Sequence, residues 1–166
     1  HIPLGYGKHF RNPKVNWLFT SEADEKTGSR VIGQPRGKVL GGTSSINGMV
    51  YVRGQHEDYD DWLNLGNAGW GYADVLPYFK KAEDNRRGAN DYHGVGGPLT
   101  VSDPTDKHPL CDAFLEAGAA CGYPVNSDCN GAKQEGFGYN QVTQRDGRRC
   151  STAVAYLRPA RQRANL

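Results

Sequence analysis

The chain has 166 residues, a formal net charge of +2 at pH 7 and a polar mean hydropathy of -0.72. Its length is enough for one domain, its small charge gives no reason to expect nucleic acid as a partner, and no apolar run approaches the roughly 20 residues of a membrane span. Glycine accounts for 22 of the 166 residues, well above the usual roughly 7%. Because so polar a chain fills a core poorly, we expect a cofactor or further polypeptide to complete it.

The N-terminal third is predicted to contain little regular structure. Residues His1–Phe10 are rich in Gly and His and are expected to be irregular. The short apolar runs Val15–Phe19 and Arg30–Gln34 flank a charged turn at Glu22–Ser29, which predicts a hairpin or two short extended segments. We expect Trp17 to lie in the core.

The segment Pro35–Gly54 concentrates glycine, hydroxyl and basic residues. Its distinctive members are Arg36, Gly37, Lys38, Gly41, Gly42, Thr43, Ser44, Ser45, Asn47 and Gly48. Adjacent glycines let a ligand approach the backbone closely, and a hydroxyl residue can cap a helix start, where N–H groups attract anions. The segment therefore favours a site for a large phosphate-bearing cofactor, although an ordinary loop has the same composition.

Two well-known phosphate-binding motifs are absent. A P-loop needs G-x-x-x-x-G-K-[ST], but the spacing from Gly33 to Gly37 is one residue short and Val39 follows Lys38. The dinucleotide motif G-x-G-x-x-G does not occur in the chain.

A continuous run within Pro35–Gly54, and shorter stretches before and after it, resemble a known protein family. The run Gly37–Tyr51, GKVLGGTSSINGMVY, resembles the first signature of the GMC oxidoreductases, the FAD-dependent glucose–methanol–choline family. Other stretches similar to choline-dehydrogenase-like members are Leu4–Gly7, Asn16–Trp17, Trp62, Gly69–Trp70, Leu76–Phe79, His93–Gly94 and Gly97–Leu99. The resemblance covers nearly the whole chain and favours the choline and alcohol dehydrogenase branch. It implies an α+β segment of the FAD/NAD(P)-binding, Rossmann-like α/β flavoenzyme fold of the GMC type.

The resemblance also implies which residues contact FAD. They are Arg36, Val39, Gly42, Thr43, Asn47, Gly48, Met49 and Val50. The backbone of Asn47–Val50 is expected beside the flavin ring. Some family members attach FAD covalently to a His at the position of Ile46; because Ile has no nucleophilic atom, we predict non-covalent FAD.

The implied reaction is oxidation of the CH–OH group of an alcohol, choline or another primary alcohol, by hydride transfer to flavin N5. In the family, the dinucleotide fingerprint lies upstream of the matched region and the catalytic His lies far downstream. We therefore expect residues 1–166 to be an internal segment from the N-terminal half, inactive alone, whose partners are FAD, a small alcohol and the remaining segments of the same enzyme. No catalytic residue is assigned, and structural or surface roles are expected for His1, His9, His56, His93 and His108. The alternatives are a non-catalytic flavin- or nucleotide-binding module and an inactive scaffold fragment.

Hydrophobic spacing predicts four helices after residue 54. They cover Gln55–Leu65, Tyr72–Glu83, His108–Cys121 and Cys150–Leu157. Pro77 is expected to fit only in a first helical turn, and Pro159 to end the last helix. Pro98–Ser102 is predicted to be a short strand, and Asp146-Gly147 a hairpin turn. The aromatic run Phe137–Tyr139 is interpreted as core packing rather than pocket lining.

Neither the cysteines nor the clustered acids indicate a metal site. The cysteines at 111, 121, 129 and 150 show no C-x-x-C spacing, so we expect buried thiols without disulfides, which favours a reducing, cytoplasmic compartment; membrane association of the intact enzyme stays open. The acids Glu57, Asp58, Asp60 and Asp61 fall near a helix start and are interpreted as a solvated face.

Overall fold

The structure, a computed structural model, describes residues 3–165. The chain divides into two compact units: unit 1 holds the described parts of residues 1–49 and 146–166, and unit 2 holds residues 50–145. In chain order the strands and α-helices are β1 (Phe19–Thr20), β2 (Gly33–Gln34), α1 (His56–Asn64), α2 (Tyr72–Ala82), β3 (Glu83–Asn85), β4 (Leu99–Val101), α3 (Pro109–Ala120), β5 (Gln144–Arg145), β6 (Arg148–Arg149) and α4 (Arg158–Ala160). Shorter 3-10 helices cover Pro3–His9, Glu25–Thr27 and Gly42–Ser45, and a π-helix covers Ala153–Leu157.

The predicted hairpin in unit 1 is confirmed, although its strands are only two residues long. Strands β1 and β2 pair antiparallel, with Phe19 opposite Gln34. The prediction that Trp17 is a core residue is wrong: its side chain is 52% exposed and stacks on Phe19 with ring centroids 6.1 Å apart.

The N-terminus is more regular than predicted. Pro3–His9 forms a 3-10 helix instead of an irregular segment, and His1 lies outside the described residues. Asn16, only 1% exposed, fixes the chain that follows: its Nδ2 donates to the Phe10 carbonyl, and its Oδ1 accepts from the N–H groups of Leu18 and Arg36.

The helices α1 and α2 of unit 2 lie where hydrophobic spacing predicts them, within a residue at each end. Tyr59 of α1 packs against α2, where its ring contacts Tyr72 and Phe79 at centroid distances of 6.2 and 5.7 Å. The prediction for Pro77 is wrong, since it is the sixth residue of α2. A proline there costs the helix the hydrogen bond that would reach Ala73.

The centre of unit 2 is polar. Helix α2 runs directly into β3, which pairs parallel with β4 in the register Glu83–Leu99, Asp84–Thr100 and Asn85–Val101. The predicted strand at Pro98–Ser102 is therefore confirmed. Of these six residues, Glu83, Asn85, Thr100 and Val101 are buried, so this small sheet encloses charged and amide groups together with a single aliphatic side chain.

Helix α3 has the predicted bounds but an exposed apolar face. Leu110 is 72% and Phe114 64% exposed. Phe137 is half-buried, with its ring 5.5 Å from Phe114 and 5.2 Å from Tyr123, so the run Phe137–Tyr139 packs at the surface rather than in a core. Gly118 is buried, and a Cβ added there would lie 2.9 Å from the Phe137 ring, so this position of α3 has room only for glycine.

The two predictions made for the cysteines have different outcomes in the structure. The four cysteines form no disulfide within the described residues, as predicted. The expectation that they are buried is wrong for Cys111 and Cys121, which are exposed on and after α3.

The C-terminal part of unit 1 begins at a tight turn. Asp146 and Gly147 have φ of 50° and 71°, as the two central residues of a type I′ turn require, and β5 and β6 flank them. The prediction that Pro159 ends the following helix is wrong, because the π-helix runs directly into α4 and Pro159 is the second residue of α4. Across residues 3–165, no helix combines the length and apolar character required for a membrane crossing.

Candidate functional site

Seven of the eight predicted FAD contacts lie in unit 1, and Val50 begins unit 2. They differ in accessibility. Arg36, Val39, Gly48 and Val50 are exposed, Gly42, Thr43 and Asn47 are half-buried, and Met49 is buried. The structure therefore brings residues 36–49 together as one surface turn with a buried end.

The turn begins with two left-handed glycines. Gly41 and Gly42 have φ of 86° and 54°, a region that side chains with a Cβ rarely adopt. Gly41 then caps the 3-10 helix Gly42–Ser45 without a side-chain hydrogen bond. The prediction that a hydroxyl residue caps this helix is wrong, because Ser44 and Ser45 lie within it and donate back to the carbonyls of Gly41 and Leu40.

The glycines of the turn serve two different purposes. Gly37 and Gly41 allow tight packing: a Cβ at Gly37 would collide with the Gly42 carbonyl, and one at Gly41 would lie 2.6 Å from the Ser45 Oγ. Gly42 has nothing within 4 Å of an added Cβ, and Gly48 has only a Tyr6 ring carbon at 3.9 Å. The turn thus presents bare backbone to open space at two positions, which fits a ligand that approaches closely.

The two basic residues at the start of the turn do not act alike. Arg36 is exposed and its Nη1 donates to the adjacent Pro35 carbonyl, 2.7 Å away. Lys38 instead places its ammonium 4.7 Å from the Trp17 ring centroid, a cation–π contact. Arg36 is therefore the cation of this pair that fits a phosphate-bearing ligand.

The turn ends in a strained residue. Met49 has φ of 66°, which is unusual for a residue with a side chain. Its N–H donates to Asn47 Oδ1 at 3.0 Å, and its side chain is 7% exposed. Ile46 is also buried, at 3% exposure. The end of the turn is anchored in the core of unit 1.

Two residues that sequence reasoning missed hold this turn. Arg149 donates from Nη1 to the Ser44 carbonyl and to Asn47 Oδ1, and from Nη2 to the Asn47 carbonyl, over 2.7–3.0 Å. Thr152 donates its N–H to Ser44 Oγ at 2.9 Å and its hydroxyl to the Gly41 carbonyl at 3.1 Å. No sequence pattern distinguishes Arg149 from Arg148, since β6 contains only these two residues and its burial of the second is seen only in the structure.

Unit 2 contains a separate group of buried charges. Glu83 is fully buried and accepts from Arg53 Nη2 at 2.9 Å and from His93 Nδ1 at 3.0 Å. His93 Nε2 lies 2.9 Å from Asp128 Oδ2. The hydrogen bond with Glu83 raises the pKa of His93 above its usual 6.5 despite burial. Burial would raise the pKa of Glu83, but the hydrogen bonds from His93 and Gly94 lower it overall.

These contacts give His93 a structural role, as predicted. Two further histidines also make structural contacts, whereas His9 Nδ1 is buried without a hydrogen-bond partner among the described residues. His56 stacks on Tyr72 with centroids 3.6 Å apart, and His108 Nδ1 accepts from the Leu110 N–H at the start of α3. The acids of α1 are exposed, as expected for a solvated face. In the described part of the chain, no three His, Cys, Asp or Glu side chains group as metal ligands do.

A cavity of about 400 Å³ lies within unit 2 rather than at the turn. Residues 53–57, Tyr72 and residues 129–135 line it. None of the eight predicted FAD contacts is among them. A smaller cavity of about 190 Å³ in unit 1 reaches Gln34 and Pro35, just before the turn.

Comparison with known proteins matches the GMC oxidoreductase family over residues 20–166. The chain is 52% identical over 153 residues to "Oxygen-dependent choline dehydrogenase" of Sinorhizobium medicae (strain WSM419), which covers 92% of this chain and 28% of that protein. A similar solved structure is pyridoxine 4-oxidase from Mesorbium loti, with a TM-score of 0.90 and 36% identity over 99% of this chain and 33% of that one. Another is an FAD-dependent oxidoreductase from Chaetomium thermophilum, with a TM-score of 0.80 and 26% identity over 92% of this chain and 29% of that one.

These likenesses confirm the predicted fold class, an α+β segment of the GMC-type flavoenzyme fold. The chain spans about 28% of the length of the curated relatives it matches.

Proposed function

This chain belongs to the GMC oxidoreductase family, and we propose that it forms part of an FAD-dependent enzyme that oxidises the CH–OH group of an alcohol. Curated relatives are named choline dehydrogenases, which supports choline or another primary alcohol as the substrate. When bound, FAD supplies the acceptor for the hydride of the alcohol. The share of the reaction proposed for this chain is to hold that cofactor.

The observation that carries the proposal is the surface turn of residues 36–49. Gly42 and Gly48 leave open space beside the backbone, and Arg36 adds an exposed cation next to it. A dinucleotide needs this combination, since its diphosphate is anionic and its rings require close approach to the backbone. The eight residues proposed to hold FAD are Arg36, Val39, Gly42, Thr43, Asn47, Gly48, Met49 and Val50.

The proposed binding is non-covalent. Ile46 stands where some family members have the His that attaches FAD, and its buried aliphatic side chain offers no nucleophile. We propose no catalytic base among the described residues. We therefore expect that choline does not reduce FAD bound to this chain alone. The cytoplasmic location and the place of residues 1–166 within a longer enzyme stay predictions.

Two glycine variants test whether the turn binds FAD. Gly42→Ala places a methyl group on the open backbone of the turn, whereas Gly28→Ala does the same outside the turn, at the end of the 3-10 helix Glu25–Thr27. The two residues have φ of 54° and 69°, and neither has an atom within 4 Å of the added Cβ. Both variants are therefore expected to lose about 1–2 kcal/mol of stability.

Only Gly42→Ala is expected to weaken FAD binding, measured by quenching of flavin fluorescence on titration with the 166-residue chain. Equal affinities for the two variants would show that FAD does not use the turn. If the wild-type chain took up no FAD, the inactive-scaffold alternative would replace the proposal. Flavin that binds this chain and is then reduced by choline would contradict the expected lack of activity.

A further inference from the structure

Arg149 is a buried cation whose partners are all uncharged. Its side chain is 6% exposed and contacts the Ser44 carbonyl, the Asn47 carbonyl and Asn47 Oδ1. Among residues 3–165, no carboxylate forms an ion pair with it. Burial lowers the pKa of its guanidinium, but arginine stays protonated in proteins. Burying such a charge is costly, so its hydrogen bonds have to offset the loss of water.

All three bonds of Arg149 end on one short part of the turn. Asn47 Oδ1 accepts from Arg149 Nη1 at 2.7 Å and also from the Met49 N–H at 3.0 Å. The same oxygen therefore links the cation to the strained φ of Met49. A planar guanidinium can reach the side-chain oxygen and the backbone carbonyl of Asn47 together, because its donors form a fixed fork.

The neighbouring Thr152 secures the start of the same turn. Its N–H and hydroxyl bond to Ser44 and Gly41, residues more than 100 positions earlier in the chain. Residues 149 and 152 thus hold both ends of the Gly41–Met49 backbone. The hydrogen bonds of Arg149 are charge-assisted, and such bonds are roughly twice as strong as neutral ones.

We propose that Arg149 is a positioning residue for the cofactor site: it sets the backbone of Asn47–Met49 in the shape that receives FAD. This inference rests on the proposed function, since it assigns Arg149 to the site that we propose for FAD. Arg149 acts through the turn, and no direct contact with the cofactor is implied.

Amide hydrogen exchange of the 166-residue chain, read by NMR, tests the positioning step without a cofactor. In Arg149→Met, the amides of Met49 and Asn47 are expected to exchange about tenfold faster or more. The Met49 N–H donates to Asn47 Oδ1, which loses the guanidinium, and the Asn47 residue itself loses two of its hydrogen bonds. Arg148→Met is the matched control, since Arg148 is its exposed neighbour and loses the same charge. The amide of Val142, in unit 2, reports on the rest of the chain.

Affinity for FAD tests the link to the cofactor. Arg149→Met is expected to raise the Kd for FAD about tenfold. Arg149→Lys is expected to restore only part of the lost affinity, because an ammonium lacks the planar fork of donors. Arg148→Met is expected to bind as the wild type does. A Lys variant that restores wild-type affinity would show that only the charge matters, and would overturn the positioning role.

The outcomes separate the two proposals. Wild-type exchange rates at Met49 and Asn47 in Arg149→Met would overturn the inference whatever the affinity for FAD. Faster exchange in a chain that takes up no FAD would leave Arg149 as the residue that sets the turn and would refute the proposed cofactor. Faster exchange at Val142 as well would assign Arg149 a general structural role and would also overturn the inference.

Discussion

Replacing Glu83 by Gln is expected to be among the most damaging single changes in unit 2. The carboxylate is fully buried and accepts four hydrogen bonds, from Arg53, His93, Asn85 and Gly94, at 2.9–3.0 Å. A Gln side chain has nearly the same shape but no charge. The NH₂ group of Gln would face one of the N–H groups that now donate to Glu83, so two donors would point at each other.

The magnitude follows from the charges that remain. With Glu83 neutralised, the Arg53 guanidinium keeps no ion-pair partner among the described residues, and His93 keeps only Asp128, whose side chain is 28% exposed and lies at the other nitrogen of the imidazole. Removing one partner of a buried ion pair costs about 3–5 kcal/mol. Since native proteins are stable by about 5–15 kcal/mol, the change would remove a large part of the stability of unit 2.

Urea unfolding measures this loss. Tryptophan fluorescence in a Trp17→Phe background reports only on Trp62 and Trp70, which both lie in unit 2. The control is Asp61→Asn, an exposed acid of α1, which is expected to change stability by less than about 0.5 kcal/mol. A loss below about 1 kcal/mol for Glu83→Gln, with an unchanged m-value, would show that the buried charges are not coupled as described.

Three further outcomes are expected. Because folding raises the pKa of His93, its ionic contacts contribute to the free energy of unfolding in full below the unfolded pKa of 6.5, and this contribution is lost as pH rises through the folded pKa. The urea midpoint of the wild type should therefore fall across that pH window, and the midpoint of His93→Gln should lack this pH dependence. Intact mass of the chain after incubation with FAD should show no adduct, and a flavin attached at Ile46 would contradict non-covalent binding. Gly37→Ala should lower the melting temperature because its Cβ collides with the Gly42 carbonyl, whereas Gly33→Ala, with open space around it, should not; equal shifts would refute the packing argument.

Local patterns in the sequence predicted local structure well. Helices α1, α2 and α3 were predictable within a residue or so, because apolar spacing, a following Gly66 and an opening Pro109 act within a few residues of one another. The turn at Asp146-Gly147 was predictable for the same reason. Burial was not: Trp17 and the face of α3 are exposed, because burial depends on what packs against a residue rather than on its own chemistry.

The predicted cofactor turn shows the same division. Its glycines were recognisable from composition, and two of them do leave open backbone. Its supports were not recognisable, since Arg149 and Thr152 contact Ser44 and Asn47 across 102–108 residues. No periodicity joins residues that far apart, so the sequence indicated where the turn is and not what holds it.

The same reasoning explains why the chain is so polar and yet folded. Its interior is specified by paired charges and amides, such as Glu83 with Arg53 and Asn85 with Gln141, rather than by aliphatic volume. Buried ion pairs contribute little net stability because desolvation offsets their attraction. Large apolar side chains meanwhile face outward, with Leu40 82% and Leu65 80% exposed. We infer that the polar network, rather than aliphatic volume, selects the fold of unit 2.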